Sequence, residues 1–371
     1  MSIPTPPSVR RFISLPLAWW TRRVSGIPFF QRVLGAGFDA ARNAVALLQA
    51  KTPVDITEEK LKPYSYLLNR LNEEEDGRLL QNIIAMRVFG WKNVWFREKL
   101  RAVELCKKHK KCFGRNGAVA LGRVMPGLAD CRVETKPDVA FPLAAGQYFH
   151  PKCSAEPGDV CVDFGAFWGE TSILLANAVG EKGKVFAVEF GGEQIQKMRG
   201  NFGANETLAS RMQIIPQPFW SESNKPVYAA GSGGCMKVAF QPLHVSDEKR
   251  HLTLTLDDAV AQGLIPRVDF IKMDIEGAEF PVLQGAVGVL KKFKPKLAVS
   301  IYHSDEDFDR IPRFLDSLGC GYEFGMGHYS GFHSETILYA KAPKFSALVL
   351  GCFFPRTCYA IALSNNHGEA S

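Results

Sequence analysis

Apolar positions recur at helical intervals over the first 125 residues. Leu61, Tyr64, Leu67, Leu68 and Leu71 fall on one stripe and predict a helix over Thr57–Leu71. Leu79, Leu80, Ile83, Ile84, Met86 and Val88 predict a second over Asp76–Phe89, stopped by Gly90. Val33–Gln49 and Arg97–Lys108 read as further helices. After about residue 140 the pattern changes. Short β-branched runs over Asp159–Phe164, Lys184–Glu189, Met212–Gln217, Val268–Met273, Lys296–Tyr302, Tyr322–Met326 and Glu335–Ala340 predict strands. Helical runs over Glu170–Val179, Glu193–Asn205, Ala278–Lys291 and Asp305–Leu318 lie between them, and residues 225–256 are less regular around Gly231–Gly234. Strand–helix alternation of this kind makes a largely parallel sheet covered on both faces. Four segments follow: a variable stretch 1–55, a mainly helical region 56–139, an α/β domain 140–342 and a tail 343–371.

Composition narrows the class without naming a function. Of 371 residues, 46% are hydrophobic and 22% charged, which supports a sizeable core and excludes a disordered chain. The formal net charge of +7 permits an acidic partner and demands none. The basic run Arg97, Lys99, Arg101, Lys107, Lys108, Lys110, Lys111, Arg115 reads as a solvated helix face. Only Phe96 and Phe113 border it, whereas stacking on nucleic acid needs interleaved aromatics. Nine cysteines cannot all pair and show no tight spacing, which fits free thiols in a reducing, cytoplasmic setting. Cys106, His109 and Cys112 lack a fourth ligand nearby, so no metal is expected there. Phe12–Trp20 is too short to span a bilayer, and Pro355-Arg356 interrupts the apolar stretch Phe345–Leu363. No transmembrane segment is expected; a peripheral membrane contact and homo-oligomerisation stay open.

The chemistry-bearing residues cluster at strand ends. The first strand of the α/β region runs into Asp163-Phe-Gly165-Ala166-Phe-Trp-Gly169-Glu-Thr, and a helix follows. Glycines 165 and 169 allow close backbone approach, and the helix N-terminus offers amides to an anion. The second strand ends at Glu189, an acid placed to accept from ribose hydroxyls. The loop reads D-x-G-x-x-x-G rather than the G-x-G-x-x-G that cradles a pyrophosphate. An anion at Asp163 suits a ligand carrying an ammonium and a sulfonium, as S-adenosylmethionine does. In Asp269-Phe-Ile-Lys272-Met-Asp274-Ile-Glu276-Gly-Ala-Glu279, Lys272, Asp274 and Glu276 recur at period two. Three charges leaving a buried strand are costly unless paired or used. His303 ends the fifth strand, and His328-Tyr329 precede the last one.

In order along the chain, VDFGAFWGETS, VFAVEF, LTLDD, VDFIKMDIEGAEFPVLQGA, LAVSIYH and HYSGFHSETILYA resemble the successive motifs of the FkbM family of methyltransferases. LLNRLNEEEDGRLLQNIIAMRVFG resembles the helical lead-in of some bacterial members, and Phe167-Trp168 stand where Tyr-Asp is commoner. The resemblance implies a Rossmann-like class I fold, with a seven-stranded, mostly parallel sheet whose last strand is antiparallel. It implies an S-adenosylmethionine-dependent O-methyltransferase acting on a hydroxyl of a sugar, polyketide or related small molecule. Asp163, Gly165, Ala166 and Gly169 map to the cofactor loop, Glu189 to the ribose contact, and Phe219 and Trp220 to the adenine neighbourhood.

Of the strand-end charges, Asp274 is the first candidate base and His303 the second, with Glu276 and Lys272 positioning the acceptor or holding Asp274 ionised. A Mg²⁺ bridged by Asp274 and Glu276 lacks a third ligand, and none is expected. His328-Tyr329 would line the acceptor pocket or serve as a turn. The alternatives are a nicotinamide-dependent oxidoreductase on the same sheet and a cofactor-binding module without turnover. A nucleic-acid methyltransferase is disfavoured, because Asp274-Ile-Glu-Gly277 stands where an Asn/Asp-Pro-Pro-aromatic loop is expected.

Overall fold

The computed structural model describes residues 58–92, 94–109, 118–120, 131–230, 237–241 and 250–343. The expected helix over Val33–Gln49, the glycine-rich turn Gly231–Gly234, Cys112, and the basic residues Lys110, Lys111 and Arg115 lie outside them, as does the tail from 344 onward.

Three helices come first: α1 (Glu58–Arg70), α2 (Glu74–Phe89) and α3 (Arg97–His109). A small hairpin of β1 (Ala118–Ala120) and β2 (Arg132–Glu134) and the helix α4 (Pro137–Ala144) follow. Then come β3 (Val160–Phe164), α5 (Glu170–Val179), β4 (Lys184–Val188), α6 (Gly192–Gly203), α7 (Glu206–Ala209) and β5 (Met212–Ile215). A separate three-stranded sheet joins β6 (Pro226–Ala230), β7 (Lys237–Ala239) and β8 (His251–Leu252), ahead of α8 (Leu256–Ala261). The chain closes through β9 (Phe270–Met273), α9 (Glu279–Gln284), α10 (Val287–Phe293), β10 (Lys296–Ser300), α11 (Asp307–Ser317), β11 (Glu323–His328) and β12 (Thr336–Lys341).

Seven strands form the main sheet in the order β11-β12-β10-β9-β3-β4-β5. Only β12 runs against its neighbours, pairing antiparallel with both β10 and β11. The chain moves outward from β3 through β4 to β5, then crosses back to β9 on the other side of β3. That reversal opens a crevice at the carboxyl ends of β3 and β9, where ligands of open α/β sheets sit.

Period-two alternation divides the core. Val160, Val162 and Phe164 face one side with Ile271, Met273, Leu297 and Val299, under α1, α2 and the helices α8 to α11. Cys161, Val185, Ala187, Phe270 and Ala298 face the other, under α5 and α6. The helical lead-in shares the first of these cores through Leu61, Tyr64, Leu67, Leu80 and Ile83. Arg70 grips Asp316 of α11 with two hydrogen bonds of 2.7 and 2.8 Å, and the Asp76 carboxylate accepts from the Met326 amide at 3.2 Å.

Two expectations change. The helix predicted over Ala278–Lys291 is broken into α9 and α10. A Cβ on Gly285 would lie 2.2 Å from the Trp220 carbonyl, so the chain at the break packs directly on the segment after β5. Asp257 then caps α10 by accepting from the Gly288 and Val289 amides at 2.8 and 2.7 Å. The basic run is also not all solvated. Lys99 is fully buried, with its ammonium against Trp95 and donating to the Trp91 and Val94 carbonyls. Burial holds its pKa down at about 8. No helix among the described residues is long and apolar enough to cross a membrane.

Candidate active site

The carboxyl ends of β3, β4, β9 and β10 surround a cavity of about 700 Å³. Its wall includes Gly165, Ala166, Phe167 and Glu170 after β3, Glu189 and Phe190 after β4, and Pro218 and Phe219 after β5. Lys272, Asp274 and Glu276 come from β9 and its exit, Tyr302 follows β10, and Glu335 precedes β12. Lys136, Gln147 and Tyr148 reach it from α4 and the turn behind it.

The β3 loop is shaped by what it packs against. Gly165 has φ +75°, and a Cβ there would come within 1.9 Å of the Asp274 carbonyl. Only glycine lets the first loop residue lie on the β9 exit. Gly169 (φ +87°) faces Met198 and Phe202 of α6, at 2.8 and 2.6 Å from a built Cβ, so it serves helix packing and does not line the cavity. Phe167 and Trp168 stack face to face, with centroids 4.9 Å apart, and the Lys136 ammonium lies 5.4 and 5.3 Å from the two rings. Phe167 lines the cavity; Trp168 does not.

Asp163 is buried behind the loop. Its Oδ1 lies 3.0 Å from the Lys272 ammonium and its Oδ2 accepts from the Ser172 hydroxyl at 2.6 Å. Lys272 also donates to the Phe164 and Gly165 carbonyls at 3.1 and 2.7 Å. The sequence offered the Asp163 anion to a ligand and Lys272 to the acceptor or to Asp274. In the fold the two neutralise each other, because register pairs Asp163 with Lys272 on one face of the sheet.

Glu189 projects from the end of β4 into the cavity. Its Oε1 accepts from the Phe190 and Gly191 amides at 2.8 and 2.9 Å, and its Oε2 from the Phe167 amide at 3.2 Å. Burial raises its pKa, and these amides pull the other way. Phe219 lines the same cavity and packs against Phe164, whereas Trp220 packs on Phe240 outside the cavity.

β9 ends at Met273, so the expected period-two display covers Lys272 but not Asp274 or Glu276. Those two belong to a turn in which Glu276 takes φ +57°. The turn is tied by Glu279, whose carboxylate accepts from the Ile275 and Gly277 amides at 2.8 and 2.9 Å. Asp274 is held from two sides: Tyr148 donates to its Oδ2 at 2.8 Å and Tyr302 to its Oδ1 at 3.1 Å. Burial, reinforced by Asp274 and Glu335, pushes both phenols well above their ordinary pKa, so they stay neutral donors. Glu335 accepts from Gln147 at 2.7 Å, and burial with the nearby Asp274 charge raises its pKa.

His303 stands behind this group and is not on the cavity wall. Its Nδ1 lies 2.9 Å from Glu279, and its Nε2 lies 3.6 and 3.7 Å from Asp274 and Glu276. Burial opposes its charge, but the three carboxylates prevail and its pKa is pushed up to about 9. At neutral pH it is a cation rather than a free base. Asp274, Glu279 and His303 have ligand atoms within 4.8 Å of one another, as a metal would need. Both Glu279 oxygens, however, already accept backbone amides. His328 lies away from the cavity, buried against Phe96 with Nδ1 at 3.0 Å from the Thr336 hydroxyl; burial lowers its pKa to about 3.

The fold thus gathers Gly165, Ala166, Glu189, Phe219, Lys272, Asp274 and Glu276 on one cavity, with His303 just behind. It leaves Asp163, Gly169 and Trp220 off the wall. The sequence reading missed Tyr302, Glu335 and Glu170, although each lies inside a quoted motif and the first and last adjoin the chosen His303 and Gly169. It also missed Lys136, Gln147 and Tyr148, which no pattern marks.

A structure of methyltransferase FkbM from Methylobacillus flagellatus KT is similar to this one with a TM-score of 0.50 and 18% identity. The match covers 76% of this chain and 59% of that one, so the chain spans 59% of that protein's length. A putative rRNA-methylase from Clostridium thermocellum is similar at a TM-score of 0.33 and 15% identity, over 51% of this chain and 89% of its own. Precorrin-6y C5,15-methyltransferase from Geobacter metallireducens GS-15 reaches 0.35 and 16%, over 57% and 89%. No curated protein matches the chain. The Methyltransferase FkbM domain model matches residues 152–324, from just before β3 into β11. The chain therefore carries, over residues 152–324, a domain of the FkbM family of S-adenosylmethionine-dependent methyltransferases.

Proposed function

We propose that the cavity binds S-adenosylmethionine and that the chain methylates a hydroxyl of a sugar, polyketide or related small molecule. The observation that carries this reading is Asp274, held on the wall by Tyr148 and Tyr302 on the same cavity as Glu189. The residues suit the donor. Glu189 keeps lone-pair capacity for ribose hydroxyls, and Phe190, Pro218 and Phe219 supply an apolar slot for adenine. The buried Glu170 carboxylate, with an unpartnered oxygen, suits a cationic group. The volume lies in the range of small-molecule sites.

When bound, the donor supplies a methyl group already activated by its positively charged sulfur. An alcohol is a poor nucleophile, so a base contributes. Asp274 receives the acceptor's proton. Tyr148 and Tyr302 donate to both of its oxygens and fix the carboxylate plane. The His303 cation offsets the charge gathered by Asp274, Glu276 and Glu279. Gln147, Ser334 and Glu335 offer polar contacts to a hydroxylated acceptor.

Titration calorimetry with S-adenosylhomocysteine and with NAD tests the donor. Uptake of the first alone supports the reading; tight binding of NAD alone overturns it. Label transfer from radioactive S-adenosylmethionine to a small-molecule extract, followed by identification of the methylated atom, tests the acceptor. A product methylated on nitrogen or carbon overturns the hydroxyl.

A further inference from the structure

One buried wall carboxylate suits a cation that the donor reading leaves unspecified. Glu170 opens α5, is 1% exposed, and lines the cavity beside the β3 loop. Its Oε2 accepts from the Trp168 amide at 3.1 Å. Its Oε1 is buried with no hydrogen-bond partner. The Thr135 hydroxyl lies beside the carboxylate, favouring its charged form, and also makes a long contact of 3.4 Å to the Lys136 carbonyl. Leaving a buried carboxylate oxygen unmatched is unfavourable, so such a group is expected to meet a ligand.

The neighbouring acids differ from Glu170 in place, partner or exposure. Asp163 is neutralised by Lys272 and lies off the wall. Glu189 lies at the β4 end, where it accepts three amides and is assigned to the ribose. Asp274, Glu276 and Glu335 belong to the opposite group around His303 and the tyrosines. Asp138 also lines the cavity, but it is exposed to solvent. Lys136, next to Thr135, adds a cation to the same side of the cavity. An ammonium and a carboxylate on one ligand would find Glu170 for the first and Lys136 with the α5 amides for the second.

We propose that Glu170, rather than Asp163, receives the α-ammonium of the donor's amino-acid end, with Lys136 facing its carboxylate. This rests on the cavity binding S-adenosylmethionine. Burial as the main cause, opposed by Thr135 and by the Glu170 and Trp168 amides, puts the Glu170 pKa at about 7, and a bound ammonium would favour its ionised form.

The test is calorimetry with three probes: S-adenosylhomocysteine, its analogue with hydrogen in place of the α-amino group, and 5′-methylthioadenosine. For the unaltered chain, deamination should weaken binding by about 10- to 100-fold, the range of a charge-assisted hydrogen bond. Glu170→Gln should weaken S-adenosylhomocysteine by a similar factor and leave 5′-methylthioadenosine and the deaminated analogue unchanged. Asp138→Asn should leave all three unchanged. The proposal is overturned if Glu170→Gln binds S-adenosylhomocysteine like the unaltered chain, or if deamination costs the variant as much as the parent. If the parent binds none of the probes, the donor reading itself has failed, a distinct outcome that removes this proposal as well. A crystal structure of the parent with S-adenosylhomocysteine gives a check that needs no variant. The ammonium should lie within hydrogen-bonding distance of Glu170 Oε1, and its placement on Asp138 or on carbonyls alone would refute the assignment.

Discussion

The Asp163 carboxylate and the Lys272 ammonium face each other at 3.0 Å across the β3–β9 pair, with 0% and 4% of their side chains exposed. The two residues are register partners at the centre of the sheet. From there Lys272 reaches the Phe164 and Gly165 carbonyls, so one ion pair holds the start of the β3 loop against the strand that delivers Asp274.

Removing one member leaves a buried charge uncompensated. Lys272→Met is expected to lower unfolding stability by about 3–5 kcal/mol in denaturant titrations. The double variant Asp163→Asn/Lys272→Met should recover most of it, since both charges are then gone. Equal loss in single and double variants would show that the pair is not the cause.

Asp274 is expected to matter for turnover and not for donor affinity. Asp274→Asn should lower the methylation rate by about 100-fold or more, the ordinary contribution of a positioned base. It should keep S-adenosylhomocysteine affinity within about twofold. Tyr148→Phe, which leaves Asp274 with Tyr302 alone, should fall between the variant and the parent. Parallel loss of binding and rate would place Asp274 in donor binding instead.

Several buried acids and His303 hold protons more tightly folded than unfolded. Glu170 rises from 4.5 to about 7 because burial disfavours its charge, and Glu335 rises for the same reason and because of Asp274. His303 rises from 6.5 to about 9, the surrounding carboxylates outweighing burial. All three shifts have one sign: the folded chain binds more protons than the unfolded one, so stability declines as pH rises. The carboxyl contributions are lost above pH 4.5, and the His303 contribution is complete below 6.5 and lost through about 9. Thermal melts from pH 6 to 9.5 should show a falling midpoint. His303→Gln should flatten the upper half of that curve.

Chelation should leave the chain unchanged. Both Glu279 oxygens are committed to the Ile275 and Gly277 amides, and His303 is cationic at neutral pH, which disfavours metal ligation. Treatment with EDTA is expected to alter neither the melting midpoint nor the methylation rate. A drop in either, restored by Mg²⁺, would make Asp274, Glu279 and His303 a cation site.

Much of the α/β domain was legible because its signals are local. Buried parallel strands read as short β-branched runs, and Gly180 stops α5 where the pattern ends. The break between α9 and α10 was not legible, because its cause is the Trp220 carbonyl pressed on Gly285 from another part of the chain. The basic run looked uniformly solvated, yet Lys99 turns inward to Trp95, a contact that charge spacing does not encode.

The amino-acid sequence by itself determined the alternating architecture, the glycine loop after β3, the acid at the end of β4 and the acidic turn after β9, each a pattern of near neighbours. Only the tertiary structure decided where those charges act. Sheet register turned Asp163 toward Lys272, burial and three carboxylates made His303 a cation, and the turn behind α4 carried Tyr148 to Asp274. The reason is physical: residue type sets what a group can do, but a charge's partner is fixed by distances between residues more than a hundred positions apart, as with Asp163 and Lys272 or Tyr148 and Asp274.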